Sequence, residues 1–417
     1  MKPRAYTFVT MNVYWFGLAV MWNALHPIVL PALLLQLVPE GLKNTYLGAM
    51  TFAGLLLAMG VQPLAGALSD RTQIRWGRRR PWIVPGTIAS LVLLALMARA
   101  QTLWQLVVGY LLLQIVSNTA HGPAQGLIPD LVPPERRGLA SGIKNLFDMG
   151  GLIVTSLMAG QLMEESRSGL TFAVIGAVLA ASAAVTVLTV REPVPGARIA
   201  TPVTDVGRLG HALARYPTYG RLLVARFLIL LGIYVVQSFA QYYIRDWIGV
   251  SNPTAVTGNL MAAIGVTLTV LVFPAGWLSD RVGRWELNVA AGGLAALGIF
   301  LLVFARSVSA VYAFGAIIGM ALGVFLSVNW ALATDLIPQS EAGRYLGLSN
   351  LATAGAGAAS RLGGPVIDGL NALFPGSSLG YPATFALAAL ATLGGALLLG
   401  RLWRREGSPG VRTPDTA

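Results

Sequence analysis

The sequence predicts an all-α membrane protein of twelve transmembrane helices, built as two pseudo-symmetric six-helix bundles. Three observations carry that prediction. Apolar runs long enough to cross a bilayer recur along the whole chain, two motifs repeat at half the chain length, and basic residues alternate between loops. Composition agrees: the chain is 55% hydrophobic and 11% charged, with a mean hydropathy of +0.67, far from the balance of a soluble domain.

A run of 18 or so apolar residues suffices for the roughly 30 Å hydrocarbon layer. Twelve such spans lie near 9–38, 45–68, 82–100, 103–127, 138–161, 169–190, 219–246, 254–278, 287–305, 308–333, 342–367 and 380–402. The first and seventh are long enough to tilt or kink, and Pro27 and Pro31 give a cause in the first. Gly315, Gly319 and Gly323 put small residues on one face of the tenth, which suits close helix packing in lipid. Residues 1–190 then hold the first bundle and 218–403 the second. A cytoplasmic linker, 191–217, carries Pro193, Pro195, Pro202 and Pro217, and 404–417 reads as a disordered cytoplasmic tail.

A formal net charge of +12 suggests nucleic acid, but its distribution answers to a membrane. Odd-numbered loops hold single basic residues: Lys43, Arg99, Arg167, Arg245 and Arg306. Even-numbered loops and tails hold most of the 29, with Arg71, Arg75, Arg78, Arg79 and Arg80 in one turn. This positive-inside pattern puts both termini in the cytoplasm of a multi-pass protein of the cell (inner or plasma) membrane. The first span is too long for a signal-peptide core and lacks a small-residue cleavage site, so it is expected to stay in the membrane. With no cysteine there is no disulfide or thiol chemistry. No nucleophile–base set, metal-ligand spacing or phosphate-binding loop stands out, so no enzyme activity, metal or cofactor is expected. The expected partners are the lipid bilayer, a small solute and protons, without nucleic acid and with the chain as a monomer.

The first repeated motif runs from Val61-Gln62-Pro63 through Gly66 and Ser69-Asp70-Arg71 to Gly77-Arg78-Arg79-Arg80-Pro81. It returns 210 residues later as Pro274-Ala275-Gly276-Trp277-Leu278-Ser279-Asp280-Arg281. The second pairs Asp130-Leu131-Val132-Pro133, Gly138, Gly142 and Asn145 with Asp335-Leu336-Ile337-Pro338, Gly343, Gly347 and Asn350. Gly66 and Gly276 permit close helix contact. Asp70 and Asp280 end their helices beside arginines, where each can make charge-assisted hydrogen bonds or face a helix N-terminus. By the pseudo-twofold, the expected targets are the starts of the eleventh span near Gly343 and of the fifth near Gly138. Such contacts form only when the cytoplasmic ends of the halves are together. That makes Gly66, Asp70, Arg71, Gly77, Arg78, Arg79, Arg80, Asp130, Arg137, Gly276, Asp280, Arg281, Asp335 and Arg344 a gating set. The other reading is topological, with arginines serving the positive-inside rule and an aspartate as counter-charge.

These same residues carry a family resemblance. Val61-Gln62-Pro63, Gly66, Ser69-Asp70-Arg71-Thr72 and Gly77-Arg78-Arg79-Arg80-Pro81-Trp82 resemble the plant-type sucrose–proton symporters and their bacterial and animal relatives. Those belong to the glycoside–pentoside–hexuronide group of the major facilitator superfamily. Asn118, Gly122-Pro123, Leu127 and Asp130-Leu131 are similar to that family's fourth-helix run, as are Asp246-Trp247 and Gly364-Pro365 with Asp368 elsewhere. The resemblance implies the major facilitator fold, alternating access, a sugar substrate, proton coupling and a cavity lined by spans one, four, seven and ten. Two departures are specific: the family's fourth-helix aspartate and arginine, implicated in coupling and sugar binding, are here Gln114 and Gln125. Tyr46–Leu68 contains no acidic residue of the kind the sodium-coupled branch uses, so sodium coupling is not expected.

Other polar residues are arranged to line a cavity. Gln114, Asn118, His121 and Gln125 fall within about 60° on one helix face. Asn12, Trp15, Trp22, Asn23 and His26 form a stripe in the first span, and Arg226, Tyr234, Gln237 and Gln241 form one in the seventh. Amides and indoles suit a sugar, giving paired hydrogen bonds to hydroxyls and flat faces to the ring. The same residue types also bond helix to helix or anchor at the interface. The candidate substrate-binding residues are Trp22, Asn23, His26, Gln114, Asn118, His121, Gln125, Tyr234, Gln237, Gln241 and Arg361.

An ionised side chain at mid-membrane costs at least about 2.5–3.5 kcal/mol and is usually functional or paired. Lys144, Asp148, Arg226 and Arg361 qualify. Lys144 and Asp148, four apart, either neutralise one another or form the proton site, with Asp148 protonated when the lysine moves away. Arg226 stands two turns from the cytoplasmic end, where it can snorkel. Arg361 either pairs with Asp368 or binds substrate. The leading expectation is a secondary transporter of a glycoside such as a disaccharide, driven by protons. The alternatives are an organic-anion or uronate carrier, an uncoupled facilitator, and a non-transporting sensor or assembly factor on the same scaffold.

Overall fold

A computed structural model describes residues 5–165, 167–192, 215–337 and 342–406, and among these every regular element is helical. Most of the predicted linker and tail therefore lies outside the described residues. Eleven helices among those described are long and apolar enough to cross a membrane. They are α1 (Tyr6–Leu37), α2 (Glu40–Asp70), α3 (Arg80–Met97), α4 (Leu103–Leu131), α5 (Arg137–Glu164), α6 (Ser168–Thr189), α7 (Pro217–Ile248), α8 (Pro253–Val282), α9 (Arg284–Phe304), α10 (Val308–Asp335) and a final Gly380–Arg405.

The eleventh predicted span is not one helix but two, α11 (Ala342–Ser360) and α12 (Gly363–Leu373), which makes the final helix α13. The break falls at Arg361-Leu362. There the N–H groups of Arg361, Leu362 and Gly364 bond three residues back, to Ala358, Ala359 and Arg361, at 3.0–3.2 Å. Gly363 and Gly364 weaken the helix, and Pro365 lacks the N–H that would carry it on. The kink expected in α1 is a π turn at Leu25–Val29, in which Leu30 N–H bonds Leu25 O, five residues back. Pro27 sits inside it.

The chain packs as two compact units. The first takes in the described residues up to 192 with Ala240–Arg245 and Gly249–Ala262; the second takes in 215–239, Asp246–Ile248 and everything described from Ala263 on. In the first, α1 packs on α5 and α6, α2 on α4, and α3 on α4 and α6. In the second, α9 packs on α10 and α13, repeating the α3 contacts six membrane spans on, since the eleventh span is α11 and α12 together. The small-residue face expected on α10 is used there: a Cβ on Gly319 or Gly323 would lie 2.6 Å from the carbonyl oxygen of Ile264 or Leu268 in α8.

Segments of α7 and α8 are tied into the first unit by named bonds. Tyr242 Oη donates to Pro31 O (2.9 Å), Arg245 Nη1 pairs with Glu40 Oε1 (2.7 Å), and Thr254 Oγ1 donates to Glu164. Gln241, with its amide turned to suit its neighbours, donates to the carbonyls of Pro27 (3.0 Å) and Ile28 (2.9 Å). Proline explains the first of these acceptors. In an α-helix Pro27 O would accept from residue 31, and Pro31 has no N–H to give.

Candidate functional site

In the first unit the polar faces of α1 and α4 meet in one network. Its hub is Tyr110, fully buried, which the sequence reading missed. Gln114 Nε2 donates to Tyr110 Oη (2.7 Å), and His26 Nε2 shares a hydrogen bond with the same oxygen at 3.0 Å. Asn118 Nδ2 donates to Gln114 Oε1 (3.1 Å) and to its backbone carbonyl (2.8 Å). Trp22 stacks on His26, with ring centroids 5.1 Å apart and planes at 18°. The signal for Tyr110 was present, since it stands four residues before Gln114 on the same face.

A second cluster joins α1, α4 and α5. Trp15 meets His121 edge-on at 4.8 Å, and Lys144 Nζ sits 4.0 Å over the Trp15 ring while donating to Asp148 Oδ2 at 2.8 Å. The expected ion pair therefore forms, and through Trp15 it adjoins the fourth-helix stripe. His121 Nε2 is buried and has no hydrogen-bond partner among the described residues. Other stripe members lie apart from these clusters. Asn12 bonds Phe8 O and Ala140 O, Asn23 bonds Ala19 O in its own helix, and Gln125 is exposed.

In the second unit, Arg226 does not snorkel. It is 4% exposed, with Nε donating to Thr353 Oγ1 (2.9 Å) and Nη1 to Asn329 Oδ1 (2.6 Å). It thus ties α7 to α10 and α11. Tyr234 lies in the field of both Arg226 and Arg361, and Gln237 is half-buried. Arg361 stands at the α11–α12 break, and Asp368 is buried in α12. Gln241, expected to face solute, is instead buried with its amide on α1.

At the α2–α3 turn, Arg79 is 4% exposed and bridges two carboxylates. Its Nη2 lies 2.6 Å from Asp70 Oδ1 and 2.8 Å from Asp130 Oδ2, its Nε donates to Asp130 Oδ2 (2.9 Å), and Nη1 bonds Ser69 Oγ. The second unit repeats this with Arg284, which pairs with Asp335 and lies 3.5 Å from Asp280 Oδ1. Sequence reading passed over Arg284, although Gly283-Arg284 echoes Gly77-Arg78-Arg79. The echo extends to the backbone: φ is +116° at Gly77 and +114° at Gly283, a conformation that favours glycine. Glu192 was also missed. Its carboxylate accepts from the N–H groups of Arg78 (2.6 Å), Arg79 (2.8 Å) and Arg80 (3.0 Å) at the positive start of α3.

The rest of the gating set divides. Arg78 bonds Asp70 O, Arg80 bonds Val190 O, and Arg137 bonds Pro129 O (3.1 Å) and Val132 O (3.2 Å) at the end of α4. Arg71 is exposed, and Arg281 lies 3.9 Å over the Trp277 ring. The side chain of Arg344 is outside the described residues. Gly66 and Gly276 face α4 and α10 at ordinary contact distances. The tight α2–α4 approach falls on Gly122, where an added Cβ would strike Gln62 O.

Membrane-length helices, a repeated acid–arginine turn and polar faces bonded helix to helix define a multi-pass helical membrane protein with a half-length repeat. The chain belongs to the Major Facilitator Superfamily, whose family model matches residues 5–361. It is 22% identical over 415 residues to the multidrug resistance protein MdtG of Enterobacter lignolyticus (strain SCF1), covering 97% of this chain and 94% of that one. It is 29% identical over 125 residues to the sucrose transport protein SUC4 of Arabidopsis thaliana, covering 26% and 24%. Among solved structures, a bacterial homologue of the human lysosomal transporter Spinster, inward-facing and occupied, superposes with a TM-score of 0.77 at 15% identity over 99% of both chains.

Proposed function

We propose that the protein is a secondary transporter that moves a glycoside by alternating access, coupled to protons through Asp148 and Lys144. The observation that carries this is the Trp22–His26–Tyr110–Gln114–Asn118 network, which offers a flat aromatic face beside amide donors and acceptors. The likeness to a sucrose transport protein supports the same substrate class. Asp148 takes the coupled proton and Lys144 sets when it is released, the pair being about one-quarter exposed. The acid–arginine turns serve as the cytoplasmic gate, with both termini cytoplasmic and the chain acting as a monomer.

Uptake into proteoliposomes tests this, using labelled sucrose, maltose, glucose, glucuronate and succinate with and without an inward proton gradient. Gradient-driven accumulation of a sugar, lost in Asp148→Asn, is the expected result. Uptake of succinate alone would overturn the glycoside reading, and gradient-independent uptake would overturn the coupling. A second reading is drug efflux. Its support is that the multidrug resistance relative matches nearly the whole chain, whereas the sucrose relative matches about a quarter. Extrusion of a lipophilic dye from the same vesicles, with no sugar uptake, would favour it.

A further inference from the structure

The second unit buries a cation, Arg226, that is 4% exposed and meets no carboxylate among the described residues. Arg226 donates two hydrogen bonds to neutral acceptors, the Thr353 hydroxyl and the Asn329 amide oxygen. Among the described residues no carboxylate lies within ion-pair distance of it. A buried guanidinium with neutral partners alone is costly to keep charged, and an arginine cannot escape by losing its proton.

Asn329 adds an independent observation. It is fully buried, and because Oδ1 accepts from Arg226, the amide has one permitted orientation. Nδ2 is then turned away, buried and without a hydrogen-bond partner among the described residues. Thr353 has no donor to spare, since its hydroxyl accepts from Arg226 and gives its one hydrogen to Ser349 O at 3.0 Å. The cluster thus offers unspent N–H donors and a net positive charge. A water could satisfy the amide but would not neutralise the guanidinium. An oxyanion that presents two oxygens, a carboxylate or a phosphate, can do both, because the guanidinium fork matches that pair.

We infer that Arg226 and Asn329 form an oxyanion subsite that takes a carboxylate or phosphate group carried by the solute. This rests on the transporter reading and narrows its substrate to an acid-bearing one. Asn329→Asp is the informative variant, since it places a carboxylate of the chain's own where the ligand's would bind.

The experiment is calorimetric titration of the full chain in lipid nanodiscs with glucose, glucuronate, glucose 6-phosphate, succinate and inorganic phosphate. Expected is at least tenfold tighter binding of one sugar acid than of glucose, with the stronger acid identifying carboxylate or phosphate. That advantage is lost in Asn329→Ala. In Asn329→Asp acid binding is lost while the melting temperature rises, which separates the effect from misfolding. Glucose binding as tightly as both sugar acids, unchanged in Asn329→Ala, overturns the subsite and leaves the glycoside reading standing. Succinate binding without any sugar, lost in Asn329→Ala, keeps the subsite and removes the glycoside. Inorganic phosphate binding with no preference for sugar acids overturns the assignment to solute.

Discussion

Arg79 and Arg284 hold the same place in the repeat, yet their surroundings make them unequal. Arg79 is buried between Asp70 and Asp130, which are themselves 29% and 20% exposed, whereas Asp280 and Asp335 are 69% and 51% exposed. Removing a buried partner leaves an uncompensated charge, while exposed pairs are screened by water. Arg79→Met is therefore expected to cost about 3 kcal/mol of stability, and Arg284→Met no more than ~1 kcal/mol. Thermal unfolding in detergent checks the ranking, and equal losses would refute it. The charged residues were legible because a carboxylate or arginine stands out in an apolar chain. Tyr110 was not, since a tyrosine inside a hydrophobic span reads as one more aromatic until its partners are seen. Glu192 was not, because its partners at Arg78–Arg80 lie more than 110 residues away in sequence.

At the scale of elements, hydropathy gave the helices and proline chemistry explains their irregularities. Pro31 withholds the N–H that Pro27 O would otherwise accept, and Gln241 supplies a donor in its place. The two residues are thus coupled. Gln241→Ala alone is expected to cost about 1 kcal/mol by leaving a buried carbonyl unsatisfied. In a Pro31→Ala background, where α1 can bond Pro27 O itself, the same change should cost nearly nothing. A double-mutant cycle on unfolding measures this, and additive losses would show that the carbonyl has another partner. The α11–α12 break was less legible. Ala352–Ala359 is rich in alanine and glycine, so hydropathy runs on through the turn at Arg361. Gly363-Gly364-Pro365 carried the stop signal, but the sequence reading took Gly364-Pro365 only as a family mark.

For the whole molecule, the half-length repeat predicts two six-helix halves, and α9 packs on α10 as α3 packs on α4. What the repeat does not encode is that Ala240–Arg245 and Gly249–Ala262, of the second half, pack with the first unit. Those contacts rest on side chains and backbone distant in sequence, such as Thr254 with Glu164. The chain's lack of cysteine makes this site open to a clean test. Oxidation of the double variant Glu164→Cys with Thr254→Cys is expected to link α5 to α8 and stop uptake, with reduction restoring it. Uptake that persists in the linked protein would show that transport does not part these segments. The same arrangement bears on how the chain is made. A ribosome delivers the first six helices well before Gln241, Tyr242, Arg245 and Thr254 exist. Until those arrive, Pro27, Pro31 and Glu164 lack the donors from α7 and α8, and Glu40 has Lys43 but not Arg245. The first half is thus completed by the second, and its maturation in the bilayer waits on synthesis of residues that a half-length gene would leave out.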